Sequence, residues 1–176
     1  SPGKPRPSSR AVLAQLRQAG NREPGTVPSV WSVTTDGLPA WEGPRMARLE
    51  TAVHIALTQF AVHQQAKTQP MHDIGRRFGG AVRTLCDRNA PGSDPYDTPV
   101  YNRFTALMTT TTVPGIRAHL NGLITQMRSH DIAFDYGRFA NDLYWIQSPS
   151  HSAAVRRRWG REFSRFTPTE IDSATI

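Results

Sequence analysis

The chain has 176 residues, of which 38% are hydrophobic, and it carries a formal net charge of +7 at pH 7. Its length suits one domain with a buried core, and its 21 basic against 14 acidic residues favour a polyanionic partner. Cys86 is the single cysteine, which excludes an intrachain disulfide and a cysteine metal site and predicts a reducing, cytoplasmic location. No apolar run approaches the roughly 18 residues of a membrane span, so no membrane partner is expected.

Helical periodicity dominates the sequence from its first segment onward. Ser8 or Ser9 is predicted to cap a first helix that ends at Gly20. From Gly20 to Gly43, closely spaced prolines and glycines predict a long connection, within which residues 29–35 are the nearest candidate for a strand. Four apolar residues of this connection are expected to pack onto the core: Trp31, Val33, Leu38 and Trp41.

Two helices are predicted between this connection and the single cysteine. The second helix begins at Pro44 and ends at Pro70, and the third covers about residues 73–86. The pair Gly79-Gly80 weakens the third prediction, since each glycine costs about 1 kcal/mol relative to alanine inside a helix. The predicted inward faces are Met46, Leu49, Val53, Leu57 and Phe60 in the second helix and Ile74, Phe78, Val82 and Leu85 in the third.

Four more helices complete the predicted fold. Asp97 or Thr98 is expected to cap the fourth helix. Asp135 is expected to cap the sixth, and Ser150 or Ser152 the seventh. The fifth helix has an apolar stripe that consists of Ile116, Leu120, Leu123, Ile124 and Met127. The sequence therefore predicts an all-α protein, a bundle of about six to eight helices with a long Pro/Gly-rich connection after the first.

The predicted helices form one domain over residues 9–165. The Pro- and Ser-rich opening, residues 1–8, is expected to be disordered, and residues 166–176 are expected to form a flexible tail. All of the candidate functional residues lie within the helical domain.

No constellation typical of an enzyme occurs in the sequence. The glycines never form a phosphate-binding loop, and the histidines lack ligand spacings such as H-E-x-x-H. Cys86 has no evident activating partner and is interpreted as a small core hydrophobe. His63 is interpreted as a cap for the last carbonyls of its helix. The sequence therefore predicts no catalytic residue, no cofactor and no metal.

Basic helix faces are the strongest functional signal. Five of the 19 arginines fall within residues 156–165, and no acidic residue occurs within residues 98–130. On a helical wheel, Val155, Trp159 and Phe163 share the core-facing side of the last helix, and the arginines face outward. Because no base-reading motif accompanies these arginines, contact with phosphates without sequence readout is predicted.

Other roles for the arginines stay open at this point. A helical DNA-binding transcription regulator would need a compact helix-turn-helix, and no short turn of that kind stands out. A helical scaffold would direct its arginines to acidic protein surfaces only. Within the chain, arginines of the last helix are alternatively expected to pair with Asp135 or Asp142.

Several segments occur in the order and spacing of a known family. They are LAQLRQAG at 13–20, ALTQFAVHQ at 56–64, IGRRFGGAVRTL at 74–85, and the run from 101 to 163. In the last run, R-F-x-x-L, H-L-x-x-L, D-Y-x-x-F-x-x-D-L-Y and V-R-x-R-W-G-R-E-F follow one another. Over residues 13–163 the chain thus resembles CasB, the small subunit of the type I-E CRISPR complex Cascade. The dipeptide Trp145-Ile146 departs slightly from the family's tryptophan position.

The resemblance implies an all-helical, non-enzymatic Cascade subunit that acts in antiviral defence. Its implied partners are the guide RNA and target DNA, the other Cascade subunits and a second copy of itself. It would stabilise the R-loop and offer a basic groove to the displaced strand. The hybrid of guide RNA and target DNA is about as stable as the DNA duplex that it replaces, so added contacts to the backbone can favour the open state. The predicted nucleic-acid-binding residues are Arg17, Arg22, Arg76, Arg77, Arg83, Arg103, Arg117, Arg128, Arg156, Arg158 and Arg161.

Overall fold

The computed structural model describes residues 8–165, so the predicted terminal segments 1–8 and 166–176 lie outside the described residues, except for Ser8. Within that range the chain forms eight α-helices and no β-strand, apart from one isolated bridge between His72 and Phe134. The helices are α1 (Ser9–Ala19), α2 (Trp31–Thr34), α3 (Gly43–His63), α4 (Phe78–Asn89), α5 (Pro99–Thr109), α6 (Val113–Ser129), α7 (Tyr136–Ile146) and α8 (Ser152–Ser164). The predicted all-α class is confirmed.

Three helices begin at residues that the sequence predicted. Ser8, Thr98 and Asp135 each accept a backbone N–H from the first turn of α1, α5 and α7, respectively. Such a cap stabilises a helix by about 1 kcal/mol. The predicted serine cap of α8 is wrong, because His151 occupies the N-cap position and makes no side-chain capping hydrogen bond.

The boundaries of α3 and α4 differ from the prediction. The helix α3 ends at His63, before the chain reaches Pro70. The helix α4 begins only at Phe78, so Ile74 lies in the preceding loop and is 84% exposed. The prediction that Ile74 faces the core is therefore wrong, since the helical phase that placed it inward does not extend to its position.

The connection between α1 and α3 packs through two buried residues that the sequence did not single out, Val30 and Thr34. Val30 is buried, whereas Trp31 and Val33 are 44% and 38% exposed. Residues 28–34 form a short 3₁₀ turn followed by α2, and not the strand considered for residues 29–35. The prediction that Trp31 and Val33 pack onto the core is wrong, because this helical turn directs Val30 inward.

The helix α3 is the central element of the bundle, in contact with α1, α6 and α7. Its buried positions include Ala52, Ile55, Ala56 and Ala61. The predicted stripe at Met46, Leu49, Val53, Leu57 and Phe60 is only partly buried. A helix with several neighbours buries more than one face, and its small residues allow the close approach of those neighbours.

The main core takes buried side chains from every helix between α3 and α8, and a group of aromatic rings within it joins α4, α7 and α8. The ring of Phe78 lies 4.9 Å from that of Phe139 and 4.9 Å from that of Trp159, measured between centroids. Such ring pairs add about 0.5–1.5 kcal/mol each beyond area burial. A smaller cluster of buried side chains joins α1 and α3 and consists of Leu16, Ala19, Val30 and Ala61.

Gly79 sets the distance between α4 and α8. A Cβ atom at this position would overlap the carbonyl of Trp159 and the side chain of Glu162. The glycine therefore permits a close helix crossing, which explains why Gly79 stands inside a helix despite its low helix propensity. None of the helices within residues 8–165 combines the length and apolar character that a membrane span requires.

Candidate nucleic-acid interface

Two of the predicted arginines bind distant backbone carbonyls near the end of α1. Arg17 on α1 donates from Nη1 to the carbonyl of Ala61 on α3 at 3.3 Å. Arg117 on α6 donates from Nη1 to the carbonyls of Gly20 and Arg22, at 3.0 and 3.2 Å. These hydrogen bonds fix both guanidinium groups around the end of α1, and they bring Arg17, Arg22 and Arg117 into one region.

Arg156 on α8 closes the C-terminal end of α5. It donates from Nη1 to the carbonyl of Met108 at 2.9 Å and from Nη2 to the carbonyl of Thr110 at 2.7 Å. Carbonyls at a helix C-terminus lack intrahelical partners and carry partial negative charge, so an arginine is favourable there. The geometry of Arg156 gives it a structural role.

Arg158 on α8 pairs with Asp142 on α7. The same carboxylate accepts the indole N–H of Trp159 at 2.7 Å. The expected pairing of a last-helix arginine with Asp142 is therefore confirmed. Asp135 instead lies 3.5 Å from Arg138 on its own helix, so the alternative pairing of Asp135 with α8 is wrong.

Asp135 also accepts backbone N–H groups from two segments. Burial acts to raise its pKa, but the N–H groups of Gly75, Arg138 and Gly137 lower it more, so the pKa lies below its usual value. This carboxylate thus joins the loop before α4 to the first turn of α7.

Arg77 and Arg83 lie between α4 and α8. Arg77 is 3.8 Å from a carboxylate oxygen of Glu162, which also accepts the N–H of Gly79 at 3.1 Å. Burial raises the pKa of Glu162, although the Gly79 N–H offsets part of this effect. Arg83 pairs with Asp87 at 3.3 Å, and its guanidinium lies 5.6 Å from the ring centroid of Phe163.

Two predicted arginines near α3 and α4 are partly buried. Arg128 donates to the side-chain oxygen of Gln65 at 2.9 Å. The carbonyl of Arg76 accepts the N–H of Asp135 at 2.8 Å, so its backbone helps to hold the start of α7. Both residues combine a structural contact with partial exposure.

Arg22, Arg103 and Arg161 are the predicted residues that face solvent most freely. All three are exposed, and within residues 8–165 their side chains make no hydrogen bond or ion pair. The guanidinium of Arg103 lies across α6, where a Cβ atom on Gly122 would overlap it. These three residues can reach phosphates without breaking a side-chain hydrogen bond or ion pair inside the described part of the protein.

Arg157 and Arg165 are missing from the predicted set, although both are exposed, Arg157 on the outward side of α8 and Arg165 directly after its last residue. The helical wheel contained the signal, since it placed both residues opposite Val155 and Trp159. Arg157 and Arg161 are one turn apart, so they form a continuous basic strip with an exposed surface.

The buried histidines and the cysteine carry no sign of reactive chemistry. His63 is fully buried, and its Nδ1 lies 3.0 Å from the hydroxyl of Tyr136, so the predicted helix-capping role is wrong. Burial lowers the pKa of His63 to about 4, which keeps the ring neutral at pH 7. Burial also raises the pKa of the Cys86 thiol, in agreement with its interpretation as a core residue.

Together, the fold and these side chains define a basic, all-helical protein. Among residues 8–165, no group of three or more His, Cys, Asp or Glu side chains is placed to hold a metal ion. The protein therefore belongs to the class of helical proteins that present arginine-rich surfaces.

Residues 12–163 match the family model of the CRISPR-associated protein Cse2, so the chain belongs to the Cse2 family. The crystal structure of CasB from Thermobifida fusca is similar, with a TM-score of 0.75 and 32% sequence identity over 89% of this chain and 85% of that one. CasB from Thermus thermophilus shares the fold, with a TM-score of 0.68 and 19% identity over 91% of this chain and 89% of that one. No curated protein matches the chain in sequence.

Proposed function

We propose that the chain is a non-catalytic small subunit of a type I-E CRISPR Cascade complex and binds nucleic-acid backbones through its exposed arginines. Membership of the Cse2 family supports the assignment to a CRISPR complex. The observation that carries the binding role is the surface of α8, where Arg157 and Arg161 are exposed opposite the buried Trp159. Neither arginine pairs with an acid inside residues 8–165, so their charges remain available to phosphates.

The proposed partners are the guide RNA and target DNA, the other Cascade subunits and a second copy of the chain, in the cytoplasm. When a guide RNA pairs with its target, the RNA–DNA hybrid is about as stable as the DNA duplex that it replaces. Contacts that hold the displaced strand or the hybrid therefore favour the open state. A surface of arginines without base-reading groups supplies such contacts independently of sequence. This activity would support antiviral defence without any chemical step on the subunit itself.

The predicted arginines divide by what they touch. We infer that Arg22, Arg103 and Arg161, together with Arg157, contact phosphates directly, because their guanidinium groups are exposed. Arg156 and Arg158 have a structural role instead. The guanidinium of Arg156 binds two backbone carbonyls, and that of Arg158 binds the carboxylate of Asp142. The others combine a contact within the chain with a partly or fully exposed side chain: Arg17, Arg76, Arg77, Arg83, Arg117 and Arg128.

Binding to single-stranded and duplex DNA of unrelated sequences over a salt series tests the proposal. Fluorescence anisotropy with labelled 20-residue oligonucleotides gives the dissociation constant at each salt concentration. We expect binding that ignores sequence and weakens steeply with salt, as phosphate contacts do. Strong discrimination between duplex sequences would instead indicate a transcription regulator. Absence of binding at low and physiological salt would indicate a scaffold for acidic protein surfaces.

A further inference from the structure

A pocket with aromatic walls, the aromatic pocket, lies between α3, α7 and the segment that leads into α3. Its volume is about 540 Å³, within the range of about 300–1,000 Å³ that small-molecule sites occupy. Three partly buried aromatic residues line it, Trp41, Tyr144 and Trp145, together with two arginines, Arg45 and Arg48. None of these residues belongs to the basic surface described above, so the pocket is a separate feature of the molecule.

The two rings on α7 are fixed by their neighbours. The rings of Tyr144 and Trp145 stand almost at right angles, at 85°, with 4.9 Å between their centroids. On its other contacts, Trp145 lies 4.4 Å from the ring of His151. Two alanines, Ala52 and Ala140, also line the pocket, and their small side chains leave it open. The walls are therefore in place before any ligand binds, which lowers the entropy lost on binding.

Both arginines of the aromatic pocket lie against its rings. The Cζ atom of Arg45 is 3.5 Å from the ring centroid of Trp41, and that of Arg48 is 5.5 Å from the ring centroid of Tyr144. Such contacts are attractive and hold a guanidinium group beside the ring. Neither side chain pairs with an acid within the described residues, and no acidic residue lines the pocket. Two uncompensated positive charges thus stand next to aromatic surface.

This combination of groups matches the two parts of a nucleotide. Unpaired bases stack on aromatic side chains and on guanidinium planes, and the phosphates beside them bind arginine. A protein partner would need an aromatic side chain next to an acidic one to match both features, whereas every unit of a single strand carries both. Contact with the phosphate backbone alone needs no aromatic residue, so the aromatic walls indicate recognition of the base itself.

We propose, on the basis of the nucleic-acid binding inferred above, that the aromatic pocket takes up one unpaired base of a single-stranded nucleic acid by stacking. The base lies against the rings of Trp41 and Tyr144, and Arg45 and Arg48 bind the adjacent phosphates. Because every base has a flat aromatic face, this contact does not depend on which base enters. A base in the pocket cannot stay paired, so the site binds a displaced strand and not an intact duplex.

Fluorescence anisotropy with two labelled strands of equal length tests this inference on the full chain. One strand carries thymine at every position, and the other has the same sugar–phosphate backbone with abasic sites throughout, so that both have the same charge. Contacts to phosphates alone would bind both strands equally. Since stacking of one base contributes substantially to affinity, we expect the wild-type chain to bind the thymine strand about tenfold more tightly.

A pair of tryptophan variants assigns this preference to the pocket. Trp41→Leu removes one aromatic wall, and we expect the preference for the thymine strand to fall below about threefold. Trp31→Leu is the matched control, since Trp31 lies on α2 outside the pocket and is 44% exposed. The control should keep the wild-type preference. Both variants should keep the wild-type salt dependence, because neither removes an arginine.

Photocrosslinking of the wild-type chain gives a second measurement that needs no substitution, so it does not depend on the folding of a variant. A single strand that contains 5-iodouracil forms covalent bonds on irradiation with aromatic side chains that its bases contact. Mass spectrometry of the digested complex then identifies the residue. We expect crosslinks at Trp41, Tyr144 or Trp145.

The outcomes separate the pocket from the wider function. A preference for the thymine strand that Trp41→Leu removes and Trp31→Leu keeps, together with a crosslink in the pocket, supports the inference. Equal binding of the two strands by the wild-type chain, with crosslinks only outside the pocket, overturns the inference and leaves the proposed function standing. If the wild-type chain binds neither strand even at low salt, both proposals fail.

Discussion

Trp159 donates its indole N–H to Asp142 Oδ2 at 2.7 Å, and this hydrogen bond joins the last two helices of the protein. Arg158, the neighbour of Trp159, binds the other oxygen of the same carboxylate. One carboxylate therefore serves a fully buried indole and a partly exposed guanidinium. The neighbouring Arg157 faces solvent, so adjacent arginines of α8 have different roles.

Removing this carboxylate should destabilise the protein strongly. Asp142→Ala leaves the buried indole N–H of Trp159 without an acceptor and breaks the ion pair with Arg158. We expect a loss of about 2–3 kcal/mol in the free energy of unfolding, measured by urea denaturation. The exposed neighbour provides a control, as Asn141→Ala should change stability by less than about 0.5 kcal/mol. Equal stability of the two variants would contradict the role given to Asp142.

Gly79→Ala should also destabilise the protein, although alanine is the better helix former. The added Cβ overlaps the carbonyl of Trp159, so α4 and α8 must separate at the aromatic core. The expected loss is about 1–3 kcal/mol, typical of overpacking. Gly160→Ala on α8 is the control, because its Cβ would meet only Met108 at 4.0 Å. Thermal melts should show opposite shifts for the two variants, and a stabilised Gly79→Ala protein would refute the tight crossing.

The exposed strip on α8 should contribute to nucleic-acid binding through charge alone. Replacing Arg157 and Arg161 by glutamine removes two phosphate contacts. The logarithm of the association constant for a single strand falls with the logarithm of the salt concentration, and this slope should become less steep by about 1.4. The double variant Lys67→Gln/Arg138→Gln removes the same net charge from residues that pair with acids, and its slope should change little. Anisotropy titrations give both slopes, and equal slopes would remove α8 from the interface.

Stability should fall as the pH drops from about 6.5 to 4 because of His63. Its pKa is lowered from 6.5 to about 4 in the folded protein, so the unfolded chain binds a proton first. The folded state therefore has its full stability above pH 6.5 and loses about 3 kcal/mol by pH 4. His63→Gln removes this contribution. Denaturation of both proteins across this range should give a smaller pH dependence for the variant, and identical curves would show that His63 is not responsible.

The parts of the fold set by local signals could be predicted from the sequence. The apolar stripe of α6 is fully buried as expected, from Ile116 to Met127. Thr98 and Asp135 cap helices as their side chains favour. The errors occur where contacts between helices determine which residues are buried. The helix α3 contacts several helices, so its buried residues follow no single stripe. Ile74 precedes the first residue of α4 and is therefore exposed.

The roles of single arginines depend on contacts that sequence spacing does not contain. Arg117 binds the carbonyl of Gly20, which lies 97 positions earlier. Arg156 likewise binds the carbonyl of Met108 at the end of α5, which lies 48 positions earlier. Composition and helical phase thus identify basic faces, but the packed structure decides which guanidinium groups remain available to a ligand.

The proposed role in Cascade is tested by purifying the tagged chain after co-expression with the other subunits of a type I-E complex and a guide RNA. We expect the chain to elute with those subunits and the guide RNA as one complex, and we expect this complex to open target duplexes more completely than one that lacks the chain. Elution of the chain alone, or equal duplex opening with and without it, would show that it is not a functional Cascade subunit.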